Sequence, residues 1–171
     1  MGIYHENSRI YVCQSDRGQI MVRLREGEKA VLSELKTESR NPKTLELDKM
    51  SVRELLTVMN EEDRNVYKAV KEVIPEIEKT VHAVVDALGR GGRLIYTGAG
   101  TSGRLGILDA VECVPTFSTM DEVKGIIAGG EQAFVRAKEG AEDSREDGAG
   151  QLEAINVCDW DVEVSLSASV S

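Results

Sequence analysis

Nine residues near the middle of the chain combine residue types that bind anions. Gly98 to Gly106 have the sequence GAGTSGRLG and follow the apolar run RLIYT. Gly98, Gly100 and Gly103 spell G-x-G-x-x-G, the spacing of a dinucleotide-binding turn. A glycine loop between a strand and a helix directs backbone N–H groups and the positive helix end at one spot. The stretch therefore predicts a site for NAD or for a phosphate monoester, unless the glycines form a purely structural turn.

The surroundings of this loop favour a sugar phosphate over NAD. A dinucleotide fold places an acidic residue at the end of its second strand, about 20 residues onward, to bind the ribose hydroxyls. Here that spacing falls on Asp121 and Glu122, which precede the second predicted strand. Hydroxyl, guanidinium and N–H groups suit the oxygens of a terminal phosphate. The candidate phosphate-binding residues are Gly98, Gly100, Thr101, Ser102, Gly103 and Arg104.

Composition limits the partners of the chain. The 171 residues carry a net charge of −9, whereas nucleic acid is bound by clustered Lys and Arg, so we expect no nucleic-acid partner. No apolar run has the length of a membrane span, which predicts no membrane partner. Three irregularly spaced cysteines predict reduced thiols in a cytoplasmic protein. The chain has two histidines, which makes a zinc site or a Ser-His-Asp triad a poor match to its composition.

The first half of the chain predicts helices preceded by an atypical extension. Residues 1–33 suggest either a weak hairpin, over RIYVCQ and QIMVRLR, or a disordered extension. Within a helical segment at 34–92, residues 34–50 read as extended, and Ser51 and Glu54 form a capping box that opens a short helix ending at Met59. A second helix is expected from residue 61 to 88, bent or split by Pro75.

From residue 93 to 171 the pattern predicts a partial α/β core. Short apolar strands are expected at 93–97, 125–129 and 161–166. Helices are expected at 102–112, ended before Pro115, and at 131–140 and 144–155. Strands that alternate with helices in this way indicate a parallel sheet.

Several longer motifs resemble those of the N-acetylmuramic acid 6-phosphate etherases. These enzymes belong to the sugar-isomerase (SIS) domain superfamily, which also contains the glucokinase regulatory protein. The motifs are TESRNPKTLELD, MNEEDRNV, GGRLIYTGAGTSGRLGILDAVECVPTF, GIIAGG and EGAEDSREDGAGQL, within a match from about Leu35 to Asp161. The resemblance implies an α/β fold of SIS type, a three-layer sandwich whose parallel sheet is flanked by helices and preceded by N-terminal helices. It also implies a cytoplasmic homodimer that binds a 6-phosphosugar and needs no metal or organic cofactor.

The resemblance further implies a reaction and two catalytic carboxylates. The family cleaves the D-lactyl ether of N-acetylmuramic acid 6-phosphate to N-acetylglucosamine 6-phosphate and D-lactate in cell-wall recycling. Glu112, in DAVEC, matches the family's proton donor, and Glu142, in EGAEDS, matches its second catalytic carboxylate. Two carboxylates can serve as base and acid in an elimination. A non-catalytic sugar-phosphate-binding domain and a phosphosugar isomerase are the alternatives.

The end of the chain departs from the family pattern. After DWDV the family continues to a second phosphosugar-binding loop, ASGRTPY, whereas this chain has EVSLSASVS. Ser169 aligns with the serine of that loop. We therefore expect an incomplete sheet, a marginal or partner-dependent fold and little etherase activity from the isolated chain.

A geometric difficulty accompanies the two glutamates. A helix over 102–112 carries Glu112 about 15 Å from the phosphate loop, at 1.5 Å per residue. Either this helix is shorter and bent, or a neighbouring subunit supplies one glutamate. We favour a composite site across a dimer.

Overall fold

The structure, a computed structural model, describes residues 11–14, 20–23 and 39–168. These residues fall into two compact units, one holding residues 39–81 and the other holding the two N-terminal strands and residues 82–168. The elements in chain order are β1 (Tyr11–Gln14), β2 (Ile20–Arg23), α1 (Val52–Glu72), α2 (Ile74–Gly89), β3 (Leu94–Gly98), α3 (Gly100–Phe117), β4 (Val123–Ile127), α4 (Gln132–Val135), α5 (Arg145–Ala154) and β5 (Val162–Leu166).

The unit of residues 39–81 begins with two 3₁₀ turns, Pro42–Thr44 and Leu47–Lys49. The extended conformation predicted for 34–50 is therefore wrong over its described part. Asn41 causes the first turn, because its side-chain oxygen accepts the Lys43 N–H at 2.9 Å. Short polar side chains that bond to nearby backbone in this way compete with extended structure.

Helix α1 begins as predicted but ends later. Ser51 Oγ accepts the Glu54 N–H at 3.3 Å, and the Glu54 carboxylate accepts the Ser51 N–H at 2.8 Å, which confirms the capping box. The predicted end at Met59 is wrong, because α1 continues to Glu72. The break falls at Val73, just before Pro75, where the missing proline N–H is tolerated in the first turn of α2. The split near Pro75 is thus confirmed.

The second unit contains a three-stranded parallel sheet in the order β4-β3-β5. Leu94 of β3 pairs with Val123 on one side and with Val162 on the other. The three predicted strands and the open parallel sheet are confirmed, with bounds that shift by up to two residues. β1 and β2 form a separate antiparallel pair in which Tyr11 lies opposite Arg23, the hairpin alternative of the sequence analysis.

Helix α3 lies very close to one face of this sheet. A Cβ atom at Gly106 would come within 2.7 Å of the Tyr96 Cβ, and one at Gly125 within 2.7 Å of the Ile107 Cα, so these glycines permit the contact. The buried apolar side chains are Ala87, Ile95, Ala110, Ile127, Ala133 and Val162. The core is therefore built from small and aliphatic residues around β3.

Two helix predictions in this unit are wrong in length. α3 does not end before Pro115 but continues through Phe117, because a proline in the last turn removes only one backbone hydrogen bond. The helix expected at 131–140 shrinks to the four residues of α4, after which Arg136 is extended. The helix expected at 144–155 is present as α5, whose N-cap is Ser144. No helix within the described part of the chain is long and apolar enough to cross a membrane.

An ion pair joins the starts of β3 and β5. The Asp161 side chain is 1% exposed and accepts hydrogen bonds from the Arg93 backbone N–H (2.8 Å), Arg93 Nε (3.1 Å) and Arg93 Nη2 (2.7 Å). The Cys158 N–H donates a fourth bond at 3.0 Å. Arg93 also donates to the carbonyls of Ile155 and Asn156, so this pair fixes the turn that precedes β5.

Candidate functional site

The first turn of α3 is uncapped and lies open at the carboxyl end of β3. Gly98 ends β3, and Ala99, the N-cap of α3, supplies no side-chain hydrogen bond. The first intrahelical bond is the one that the Gly103 N–H donates to the Ala99 carbonyl at 3.2 Å. The first turn contains no acidic residue. Its N–H groups and the positive end of the helix dipole therefore suit a phosphate.

The three positions of the motif require glycine for different physical reasons. A Cβ at Gly103 would lie 2.5 Å from the Gly98 oxygen and 2.8 Å from Ile127 Cγ1, so Gly98 and Gly103 let the strand and the helix cross closely. Gly100 instead has φ +54° and open space above its Cα. Of the three, only Gly100 leaves room for a ligand at its own Cα.

A cavity of about 300 Å³ opens on one side of this loop. Gly100, Arg104 and Glu142 all line it, together with Lys138 and Glu139. The structure thus brings together three of the residues predicted from sequence, one of them a candidate catalytic carboxylate. Carboxylate, ammonium and free N–H groups at one cavity can hold an anion and move a proton.

A second cavity of about 330 Å³ is lined by the same loop. Thr101 and Ser102 line it, along with Leu166 and Ala168 at the end of β5. Ala99 belongs to both cavities, so the two cavities adjoin at the start of α3. Ser169, the predicted contribution of the second loop, lies outside the described residues.

Glu112 lies away from both cavities. It is exposed and occupies the same helix as the loop, ten residues after Ser102, which corresponds to about 15 Å along the axis. The shorter helix considered in the sequence analysis is wrong, since α3 extends past Glu112. The apolar side chains beside Glu112 are also exposed: Leu105 (58%), Leu108 (48%) and Val111 (57%).

The charged groups of the first cavity differ in how they are held. Arg104 donates from Nε to the Phe134 carbonyl at 2.8 Å and from Nη2 to the Ala133 carbonyl at 2.7 Å. Lys138 has no hydrogen-bond or ion-pair partner among the residues that the structure describes. Within the described part of the chain, Lys138 is therefore the cation of this cavity whose side chain has no protein partner.

Tyr96 packs against Gly106 of this helix, but its hydroxyl is not a base at neutral pH. Burial, followed by the hydrogen bond to Asp109, raises the pKa of Tyr96 to about 12. In the described chain no three His, Cys, Asp or Glu side chains come together as a metal site. The carboxylates that line the first cavity are those of Glu139 and Glu142.

Sequence reasoning missed two residues at the site. Lys138 directly precedes the acidic residues of the stretch AKEGAED, and a cation next to them was the available signal. Asp147 accepts the Gly129 N–H at 3.3 Å and so ties α5 to the turn after β4. No local pattern identifies Asp147, because its partner lies 18 residues away.

Curated proteins share extensive sequence with this chain. The chain is 54% identical over 140 residues to the N-acetylmuramic acid 6-phosphate etherase of Listeria welshimeri and 56% identical over 139 residues to that of Mycolicibacterium smegmatis. It is 55% identical to N-acetylmuramic acid 6-phosphate etherase 2 of Vibrio parahaemolyticus. Each match covers 81% of this chain and 46–47% of the relative, so the chain spans about half the length of these relatives.

A family model extends this likeness through β5. The glucokinase regulatory protein N-terminal SIS domain matches residues 72–171. This range contains the parallel sheet, the glycine loop and both candidate glutamates. Because it covers more than half of the sequence, the chain belongs to the family of SIS domains represented by the N-terminal domain of the glucokinase regulatory protein.

Proposed function

We propose that this chain provides the phosphate-binding loop and the catalytic carboxylates of an N-acetylmuramic acid 6-phosphate etherase. The observation that carries the proposal is the position of Glu142 on the same cavity as Gly100, at the uncapped start of α3. The identity of 54–56% to proteins of that name supports it. The products are N-acetylglucosamine 6-phosphate and D-lactate.

In the proposed complex the 6-phosphate binds at the start of α3. The exposed Gly100 and Thr101, with the half-buried Ser102, supply N–H groups and two hydroxyls. A phosphate there gains both hydrogen bonds and the field of an 18-residue helix. An acidic residue in the first turn would repel this anion, and α3 has none.

The chemistry we propose is an elimination followed by the addition of water. In the open-chain sugar the C2 proton is acidic because it lies next to the C1 aldehyde, and Glu142 removes it as a base. The electron pair forms the C2=C3 double bond while the C3–O ether bond breaks. The departing oxygen takes a proton from Glu112 and leaves as D-lactate, and water then adds OH to C3 and H to C2.

The unpaired ammonium of Lys138 fits the second anionic group of this substrate. The lactyl ether carries a carboxylate, which the product sugar lacks. Lys138 lines the same cavity as Glu142 and Gly100. We therefore assign Lys138 to the lactyl carboxylate in the proposed complex, where a charge-assisted hydrogen bond distinguishes substrate from product.

We further propose that Glu112 reaches the site from a second copy of the chain in a homodimer. The distance of about 15 Å along α3 separates Glu112 from the phosphate loop of its own chain. The exposed Leu105, Leu108 and Val111 place an apolar stripe beside Glu112, as expected of a helix face that meets another protein surface. A second copy that covers this stripe would bring Glu112 to the partner's loop.

The proposed activity is tested by D-lactate release from N-acetylmuramic acid 6-phosphate. The assay uses this chain and a chimera in which the chain replaces the matching part of the Mycolicibacterium smegmatis etherase. We expect lactate from the chimera and little from the 171-residue chain. Binding of the sugar phosphate without lactate from the chimera would favour the non-catalytic binder, and a ketose product would favour an isomerase.

Mixing two inactive variants of the active chimera tests the composite site. The Glu112→Gln and Glu142→Gln proteins are dissociated, mixed in equal amounts and reassembled. If each site takes one glutamate from each subunit, the mixed dimer has one intact site, and activity recovers to about a quarter of the wild-type value. Sites contained within one subunit would leave the mixture inactive.

A further inference from the structure

Arg104 has its guanidinium committed to the backbone of α4. Its Nε and Nη2 atoms donate to the carbonyls of Phe134 (2.8 Å) and Ala133 (2.7 Å). The last carbonyls of a helix have no intrahelical donors, and α4 has only four residues. Arg104 therefore satisfies carbonyl groups that the short helix leaves open, and it joins α3 to α4.

The segment after α4 carries the polar groups of the first cavity. Arg136 is extended, and the chain then continues through Lys138 to Glu142, both of which line the cavity. A Cβ at Gly129 would lie 2.8 Å from Lys138 Cδ and 3.2 Å from the Ala141 Cβ, so this segment packs against the turn after β4. Arg104 holds the start of the segment, and the contact with Gly129 holds its middle.

We infer that Arg104 is a positioning residue for Glu142 and not a ligand of the phosphate. This inference rests on the proposed function, since that function gives Glu142 its role. Two parallel hydrogen bonds from one planar group fix both the distance and the orientation of α4. A displacement of the catalytic group by about 1 Å lowers a rate by about a hundredfold, so loss of these bonds acts on turnover.

The experiment compares Arg104→Lys and Arg104→Gln with the control Arg136→Gln, an exposed arginine of the same segment. Three quantities are measured: kcat and KM for lactate release by the chimera, the Kd of the 171-residue chain for N-acetylglucosamine 6-phosphate, and amide hydrogen exchange over residues 132–142. Circular dichroism and the urea midpoint show that each variant is folded.

We expect both Arg104 variants to lower kcat by about ten- to a hundredfold and to leave the Kd within about twofold. Exchange over residues 132–142 should rise in both variants and stay unchanged in Arg136→Gln. Lysine does not rescue the rate, because a single ammonium cannot reproduce the two fixed donors. The Arg136→Gln control should keep wild-type kinetics.

Two results would overturn the inference. One is a tenfold rise of the Kd with unchanged exchange, which would make Arg104 a phosphate ligand. The other is unchanged exchange together with unchanged Kd and kcat. Absence of lactate release by the wild-type chimera would instead contradict the etherase proposal, and exchange and Kd would still decide whether Arg104 holds the segment or binds phosphate.

Discussion

Removal of the Asp161 charge should cost a large part of the stability of the α/β unit. In Asp161→Asn the amide oxygen can still accept the Arg93 N–H and Nε. The amide nitrogen, however, takes the place of the oxygen that accepts Arg93 Nη2 at 2.7 Å and the Cys158 N–H at 3.0 Å, so donors face donors. Because the side chain is 1% exposed, water cannot repair the mismatch.

The expected loss is about 3–5 kcal/mol, as for other buried pairs that lose one charge. With a urea slope of about 2 kcal/mol per molar, the unfolding midpoint falls by about 2 M. The assay is urea denaturation of the 171-residue chain at pH 7, followed by circular dichroism, and if the wild-type midpoint lies below about 2 M the variant should be unfolded without urea. Asp159→Asn, an exposed neighbour, is the matched control and should leave the midpoint unchanged.

The loss of stability in Asp161→Asn should depend on pH. Burial by itself raises the pKa of Asp161, but the hydrogen bonds and charge of Arg93 and the Cys158 N–H outweigh it, and the pKa lies below its usual value. The carboxylate therefore stabilises the fold above the unfolded pKa of about 3.9, and this contribution is lost as pH falls through the lower folded pKa. The difference in the free energy of unfolding between wild type and Asp161→Asn should be constant from neutral pH to about pH 5. It should shrink below pH 4. A variant whose midpoint equals that of wild type at pH 7 would refute the reasoning.

Two further predictions concern the loop and the cavity. Gly103→Ala places a Cβ 2.5 Å from the Gly98 oxygen and should lower the stability of the chain by about 1–3 kcal/mol. Gly148→Ala in α5 places its Cβ where no atom lies within 4 Å, and it should raise the stability by about 0.5–1 kcal/mol. Thermal melting compares the two, and equal shifts would contradict the close-crossing argument. Lys138→Met should raise the Kd for N-acetylmuramic acid 6-phosphate by about five- to tenfold, because the loss of one exposed ion pair is worth about 1 kcal/mol. The Kd for N-acetylglucosamine 6-phosphate should stay unchanged. Calorimetric titration with both sugars measures this, and an equal loss for both would assign Lys138 to the phosphate or to packing.

Local patterns were enough to predict the parallel strands and the capped helix starts. The Ser51 cap, the helix that follows Ser144 and the apolar strand that leads into Gly98 each depend on neighbours within a few residues. Such local preferences determine the type and position of a helix or strand when no distant contact opposes them. The α/β class and the place of the glycine loop followed from these elements.

Distant contacts decided what local patterns could not. α4 ends at Val135, and the chain turns over Gly129, where Lys138 and Ala141 pack, so the helical pattern of 131–140 is interrupted. The partner of Arg104 lies 30 residues away, and sequence reasoning therefore assigned its charge to the phosphate. In both cases tertiary contacts override a local preference.

The glycine motif alone does not identify its ligand, because two of its glycines serve the fold. Gly98 and Gly103 are needed wherever a strand and its helix cross this closely, whatever binds above them. The distinction between NAD and a phosphate monoester therefore depends on the end of the next strand, where NAD needs a carboxylate for its ribose. β4 ends at Ile127 and continues as Ala128-Gly129-Gly130, while Asp121 and Glu122 precede it. Gly129 contacts Lys138 and Ala141, so the segment that carries Glu142 packs at the end of β4, where a dinucleotide fold needs its ribose carboxylate, and this packing favours the proposed terminal phosphate over NAD.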